Sequence, residues 1–266
     1  MQKEEQLLEK RLVELSNLAY RRDIVTYSDF LNLNELNILH SLPKDRLYTR
    51  FVTFGGYDLA ERQMAAFLPD ALYLRTECEE ENGGNLSQLG FPFKVMQITP
   101  LGVKYAESLT HRDYLGAVLN LGIERSKLGD IMTDADKKEA VLFVHSDLSD
   151  FLQNELTRVR HTAVSMTEVR LVDFQYSPHY EEIKGTVASV RLDSLLALAF
   201  SSSRSRLTGL IEGAKVFVNG RLMTSNGFQV KDDDIISVRG MGKFQYKGTL
   251  SHTKKGRVLV LIYKYV

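Results

Sequence analysis

The sequence predicts an α+β fold in three parts. These are a helical region over residues 1–70, a ferredoxin-like or RNA-recognition-like α+β domain over 71–180, and a C-terminal domain of two helices and a small antiparallel sheet over 185–266. Three observations predict it. Leu7, Leu8, Leu12, Leu15 and Leu18 recur at three- and four-residue steps, the apolar stripe of an amphipathic helix. Between 71 and 180, short β-type runs interleave with two helical stretches. Near the C-terminus, the alternating run Ala214–Val218 meets Asn219-Gly220, the strongest short-range hairpin signal.

Taken in order, the leucine stripe is followed by a second helix suggested by Asp29-Phe30-Leu31 and Leu33–Leu42, which Pro43 ends. Arg50–Gly56 reads as a strand and turn, and Ala60–Phe67 as a helix. Ala71–Arg75 is a strand candidate, and Glu77–Gln88 an acidic loop rich in Gly and Asn. Strands are expected at Phe93–Thr99, Gly129–Thr133, Ala140–His145 and Ala163–Val169. A helix is expected at His111–Leu121, and another, capped by Ser146 or Asp147, running to about Val159. The aromatic signatures of RNA-recognition modules are not visible in this domain. Residues 171–188 read as a linker or connecting strand. Helices are expected at Arg191–Phe200 and Arg204–Glu212, with Gly213 as left-handed terminator, then strands at Ala214–Val218, Ile235–Val238 and Arg257–Tyr265.

Hydrophobic content of 44% and charged content of 26% are those of an ordinary globular chain. No apolar run approaches the roughly 20 residues that cross a bilayer, and Met1–Glu5 has no apolar signal core, so a cytoplasmic protein without a membrane partner is expected. The lone Cys78 stands among Glu77, Glu79, Glu80 and Glu81, which disfavour a thiolate. Net charge is zero, yet residues 185–266 carry 13 Lys and Arg against 5 Asp and Glu, while the preceding residues carry 21 against 29. A basic module joined to an acidic body points to a localised polyanion-binding surface.

Within that module, Ser202, Ser203 and Arg204 stand at the expected start of a helix, where free N–H groups and the positive dipole end favour an anion. Lys215 and Phe217 share a strand face opposite Val216 and Val218, a cation beside an aromatic as RNA-stacking surfaces require. Arg239, Lys243, Phe244 and Lys247 follow in what reads as a Gly-containing loop. Enzyme motifs fail. His111-Arg112-Asp113 matches the kinase catalytic loop, but the required Asn is replaced by Val118. The six histidines are scattered, so neither metal nor cofactor is expected. Thr110 or Asp113 is expected to cap the helix that follows, leaving His111 and Arg112 at its exposed start, where they can face RNA.

Arg191-Leu192-Asp193, Ser203-Arg204-Ser205-Arg206, Leu210-Ile211-Glu212-Gly213, Val216–Arg221 and Asp234–Val238 together resemble the S-four RNA-binding domain, named after a small-subunit ribosomal protein. Upstream, Phe54-Gly55-Gly56-Tyr57 with Ala60-Glu61-Arg62, and His111–Gly116 with Leu121–Arg125, resemble the YlmH family of S-four-domain proteins. Two positions depart from the pattern: Asp233 stands where a Gly usually precedes the Asp-Ile turn, and Met241 where a basic residue is frequent. The resemblance implies a non-enzymatic binder of ribosomal and transfer RNA on the ribosome, on its large subunit, in rescue of stalled peptidyl-tRNA complexes. It implies RNA contacts at Ser203, Arg204, Ser205, Arg206, Lys215, Phe217, Asn219, Arg221, Arg239 and Lys243. Two alternatives remain: an interaction factor for cell-division proteins, and a pseudouridine synthase. The latter needs a catalytic Asp in an Arg-Leu-Asp, and here that tripeptide, Arg191–Asp193, lies within the binding module itself.

Overall fold

The computed structural model describes residues 3–70, 72, 89–134, 138–174, 179–253 and 256–265, and the chain divides into two compact units, 1–176 and 177–266. The expected strand over 71–75 (Leu72 excepted) and the acidic loop over 77–88, with Cys78, lie outside the described residues.

The first unit opens with α1 (Lys3–Arg22), which buries Leu12, Leu15 and Ala19, while Leu7 and Leu18 of the expected stripe stay exposed. β1 (Thr26–Tyr27) follows, then α2 (Leu33–Ser41), whose start is a reciprocal cap. The Asn32 side chain accepts from the Asn34 and Glu35 N–H groups, and the Glu35 carboxylate accepts from the Asn32 N–H at 2.7 Å. β2 (Arg50–Phe54) and β3 (Met64–Leu68) complete a three-stranded antiparallel sheet of order β1-β3-β2. The helix expected over Ala60–Phe67 is therefore corrected. Met64–Leu68 is a central strand buried at all five residues, and a strand covered on both faces shows no alternation by which to tell it from a buried helix.

The rest of the unit comprises β4 (Phe93–Pro100), α3 (His111–Asn120), β5 (Leu128–Asp134), β6 (Glu139–His145), α4 (Ser149–Glu155), the short β7 (Arg158–Val159) and β8 (Thr162–Val169). The sheet order β5-β6-β4-β8-β7, with the two helices, is the βαββαβ ferredoxin-like arrangement, extended by β7. The helix expected to reach Val159 stops at Glu155. Arg158 and Val159 instead pair with Ala163 and Thr162 in a hairpin whose tip, Arg160, takes a left-handed φ of 51°. On one face, Met96, Ile98, Leu142 and Val144 pack on Tyr114, Val118 and Leu152. On the other, Phe93, Val95 and Phe143 pack under Phe30, Met64, Ala66 and Leu68, so a single core crosses the boundary expected near residue 70.

Close approach at this second core explains the Phe54–Tyr57 motif. A Cβ on Gly55 would sit 2.4 Å from the Arg62 carbonyl oxygen. Gly56 has φ of 100°, and a Cβ there would sit 2.2 Å from the Phe143 ring. Next to it, the Asp130 carboxylate accepts from the Tyr57 hydroxyl at 2.8 Å and from the Glu61 and Arg62 N–H groups. The Arg62 guanidinium donates to the carbonyls of Leu128, Phe30 and Arg125. Burial, then the Arg62 charge, pushes the Arg125 guanidinium down to about 10, still protonated at neutral pH.

The second unit holds β9 (Tyr180–Val187), α5 (Leu192–Ala199), α6 (Arg204–Glu212), β10 (Val216–Val218), β11 (Arg221–Leu222), β12 (Ile235–Val238), β13 (Gly242–His252) and β14 (Val258–Tyr265). Its antiparallel sheet runs β11-β10-β12-β13-β14-β9. Leu192, Leu195, Leu196, Leu207 and Ile211 of the helices pack on one face, against Val216, Val218, Ile236, Val238, Phe244 and Ile262. Asn219 and Gly220 take φ of 48° and 76°, both left-handed as a type I′ hairpin requires. Two expectations are corrected, and of the two readings of 171–188 the strand holds. Lys243, Phe244 and Lys247 lie on β13, and the Gly-containing loop shrinks to a turn around Gly240. The 171–188 connection contributes the edge strand β9, paired with β14 along its whole length. Helix α6 ends in a Schellman closure whose left-handed residue is Ala214, not Gly213: the Lys215 N–H reaches the Leu210 carbonyl and the Ala214 N–H that of Ile211.

Gly56→Ala combines left-handed strain with overpacking against Phe143 and is expected to cost about 2–5 kcal/mol in urea unfolding. Gly116→Ala, in α3 with open space around it, is expected to raise stability by roughly 0.5–1 kcal/mol.

Candidate nucleic-acid interface

The strand register brings four of the expected residues together on the sheet face away from the helices. Phe217 lies opposite Ser237, and Ser237 opposite Lys243. The Arg239 N–H donates to the Lys215 carbonyl at 2.9 Å, tying the two basic residues side by side. Lys215 and Arg239 are exposed and Lys243 is half-buried. Phe217 is 1% exposed, and the Arg239 guanidinium lies 5.9 Å above its ring. The expectation that Phe217 offers its face to an RNA base is therefore corrected, because that face is covered. The ring instead holds Arg239 by a cation–π contact.

The helix-start residues lie across the sheet. Ser203 precedes α6, Arg204 and Ser205 are its first two residues, and Arg206 is exposed on its first turn. The side chains of Arg204 and Ser205 fall outside the described residues. Helix α6 packs through Leu207 and Ile211 on the core face of the sheet, whereas Lys243 lies on the opposite face. Arg221 is exposed on the β10–β11 hairpin.

Asn219 has a structural task. Its amide donates to the Asp234 carboxylate at 2.8 Å, and its carbonyl oxygen accepts from the Ile235 N–H at 2.9 Å. Asp234 also accepts from the Lys231 N–H, which locks the turn before β12. Asp233, at the position where a Gly is usual, takes φ of 65°, a left-handed backbone that Asp tolerates better than most residues. In the Arg-Leu-Asp tripeptide, Asp193 is buried at the start of α5, with the Arg191 Nε 3.3 Å from its carboxylate. The Leu192 and Asp193 N–H groups donate to the carbonyls of Phe228 and Asn226, so the tripeptide anchors this helix to the 226–228 loop.

In the first unit, His111 and Arg112 open α3 and both are exposed. The Asp113 carboxylate accepts from the Thr110 N–H at 2.8 Å and from its hydroxyl at 2.7 Å, and these bonds hold its pKa low. Desolvation of the His111 ring, then the nearby Arg125 charge, lowers its pKa below the ordinary value. A groove of about 550 Å³ beside α3 is lined by Arg112, Asp113, Glu155, Arg158 and Arg160, with Arg160 3.5 Å from Asp113. The sheet face on which RNA-recognition modules stack bases is closed here, because Phe93, Val95 and Phe143 lie beneath the N-terminal strands. Residues without an assigned role at the level of sequence are Tyr180, Tyr263 and Tyr265, which the register gathers on the second unit's open sheet face. The period-two spacing of Tyr263 and Tyr265 was the available signal.

Asn219→Ala leaves the Ile235 N–H and the Asp234 carboxylate without their partner, and is expected to cost about 1–3 kcal/mol in urea unfolding. Arg221→Ala, two residues on and exposed, is expected to change stability by less than about 0.5 kcal/mol.

The family model for the YlmH RNA-binding domain matches residues 88–173, and the model for the S4 domain matches residues 190–236. The chain is 27% identical over 259 residues to the ribosome-associated protein quality control protein P2 of Bacillus subtilis (strain 168), covering 96% of this chain and 93% of that one. A solved structure, the cell division protein ylmH from Streptococcus pneumoniae, aligns at 21% identity with a TM-score of 0.48, over 65% of this chain and 95% of that chain. The chain thus matches the YlmH RNA-binding domain over its ferredoxin-like part and the S4 domain over its C-terminal unit.

Proposed function

We propose that the chain is a non-enzymatic, cytoplasmic RNA-binding factor that holds ribosomal and transfer RNA on the large ribosomal subunit and acts on stalled complexes that still carry peptidyl-tRNA. The observation that carries this reading is the charge segregation. Residues 185–266 hold 13 Lys and Arg against 5 Asp and Glu on a chain whose remainder is acidic, and Arg206, Lys215, Arg221 and Arg239 of that module are exposed. Exposed cations without an excess of carboxylates around them suit a phosphate backbone, whose contacts position a protein without breaking or making a bond. The Bacillus subtilis relative, named for ribosome-associated quality control, supports the ribosomal setting. In this reading the acidic first unit contributes selectivity, and the C-terminal unit most of the affinity.

The salt dependence of binding tests the reading. With four to six phosphate contacts, log affinity for ribosomal RNA against log salt is expected to slope at about −3 to −5. A slope near zero sinks it. Arg206→Ala with Lys215→Ala removes two exposed charges and is expected to flatten that slope by roughly 1.4–1.8. Melting is expected to change little, since each site is worth less than about 0.5 kcal/mol to the fold. Co-sedimentation of the same double variant with purified large subunits is expected to fall in parallel.

A further inference from the structure

The second unit's sheet has one face covered by α5 and α6, and its other face carries an aromatic cluster that lies outside the S4 match. Tyr180 on the edge strand β9 and Tyr263 on β14 stack with ring centroids 4.2 Å apart and planes 17° from parallel. Tyr265 meets Tyr180 edge-on at 6.3 Å, and its hydroxyl donates to the Gln245 side chain at 3.0 Å. The Lys247 ammonium lies 5.8 Å from the Tyr263 ring centroid. Register places Gln245 opposite Tyr263, and Lys243 two residues along the same face toward Arg239. Tyr180 remains 45% exposed, although a stacked aromatic pair on a strand edge ordinarily gains from being covered. The carboxylates nearest the cluster, Glu182 and Asp233, are already paired, with Lys184 at 3.5 Å and with Lys247 respectively.

We propose that this open sheet face is a second RNA site, a stacking platform for unpaired nucleotides, in which the Tyr180–Tyr263 pair receives a base, Lys243 and Arg239 track the phosphates, and Lys247, held by Asp233, stays against the Tyr263 ring. The occupant follows from chemistry. Base–aromatic stacking needs an exposed ring face with no sequence requirement, and single-stranded nucleic acid is held by such rings set along a basic groove. A duplex keeps its bases stacked within itself and presents only phosphates and sugars to such a face, so it takes the cations without the rings. The platform also places the basic strip on one continuous surface with Lys215, on the side of the sheet opposite α6. This inference rests on the chain being an RNA binder and adds which form of RNA this face takes.

The test uses the full-length protein and two fluorescein-labelled probes of the same sequence, a single-stranded 12-nucleotide RNA and its duplex. Tyr180→Leu with Tyr263→Leu keeps apolar contact across the strands but removes the rings. It is expected to weaken single-strand binding by tenfold or more, since each stacked base is worth several- to a hundredfold by truncation, and to leave duplex binding within twofold. Tyr180→Phe with Tyr263→Phe keeps the rings and is expected to bind both probes as the wild type does, which guards against a folding defect in the leucine variant. Equal weakening of both probes with unchanged melting, or no weakening of either, overturns the platform while leaving RNA binding intact. Absence of wild-type binding to either probe overturns the RNA reading itself. A wild-type dimer in sedimentation that the leucine variant abolishes assigns the face to a second copy of the chain and overturns the proposal.

Discussion

The Phe143 side chain occupies space that side chains at Gly56 and Gly129 would fill: a Cβ on Gly56 would lie 2.2 Å from its ring, and one on Gly129 would lie 2.7 Å from its Cβ. Around it, Tyr57 stacks at 5.7 Å and Phe174 and Phe93 meet it edge-on. Protein interiors tolerate little misfit, so this one ring commits the N-terminal strands to lie on the ferredoxin-like sheet. The Asp130 and Arg62 network beside it satisfies the backbone groups that this close approach takes out of water. The first unit is therefore one folded body, in which the N-terminal sheet serves as a cover for the middle one.

That cover has a functional consequence. A four-stranded sheet with aromatics at its centre is the surface on which RNA-recognition modules stack bases, and here those aromatics are core. What the first unit leaves to solvent is its helix side, with Arg112, Arg158 and Arg160 beside the α3 groove. The second unit, by contrast, carries stacked tyrosines on the sheet face away from its helices.

In the second unit several acidic side chains are held by the backbone or by single partners. Asp234 holds the Lys231 N–H and the Asn219 amide, Asp193 faces Arg191, Glu212 accepts from Asn226 at 3.3 Å, and Asp233 meets Lys247. Each such carboxylate shapes a turn or a helix end and offers little to the basic residues elsewhere. Lys215, Arg206, Arg221 and Arg239 are thus left outward. The same residues that specify the small fold also keep its positive field unneutralised.

Much of this was legible in the chain itself. The heptad-like leucines marked α1, Asn219-Gly220 marked a hairpin whose two residues both take left-handed angles, and the count of charges marked the basic module. These signals are local, or depend on composition alone. Met64–Leu68 was not legible as a strand, because burial on both faces erases the alternation that identifies one, and β13 was hidden by glycines that suggested a loop. Phe217 had the right neighbours for a stacking residue, but burial is a property of what covers a side chain, and no periodicity reports it. Thus residue chemistry and short spacing by themselves determined the α+β class, the hairpin and the segregation of charge. Only the tertiary structure decided which aromatic faces stay open, because that depends on strands far apart in sequence coming into register.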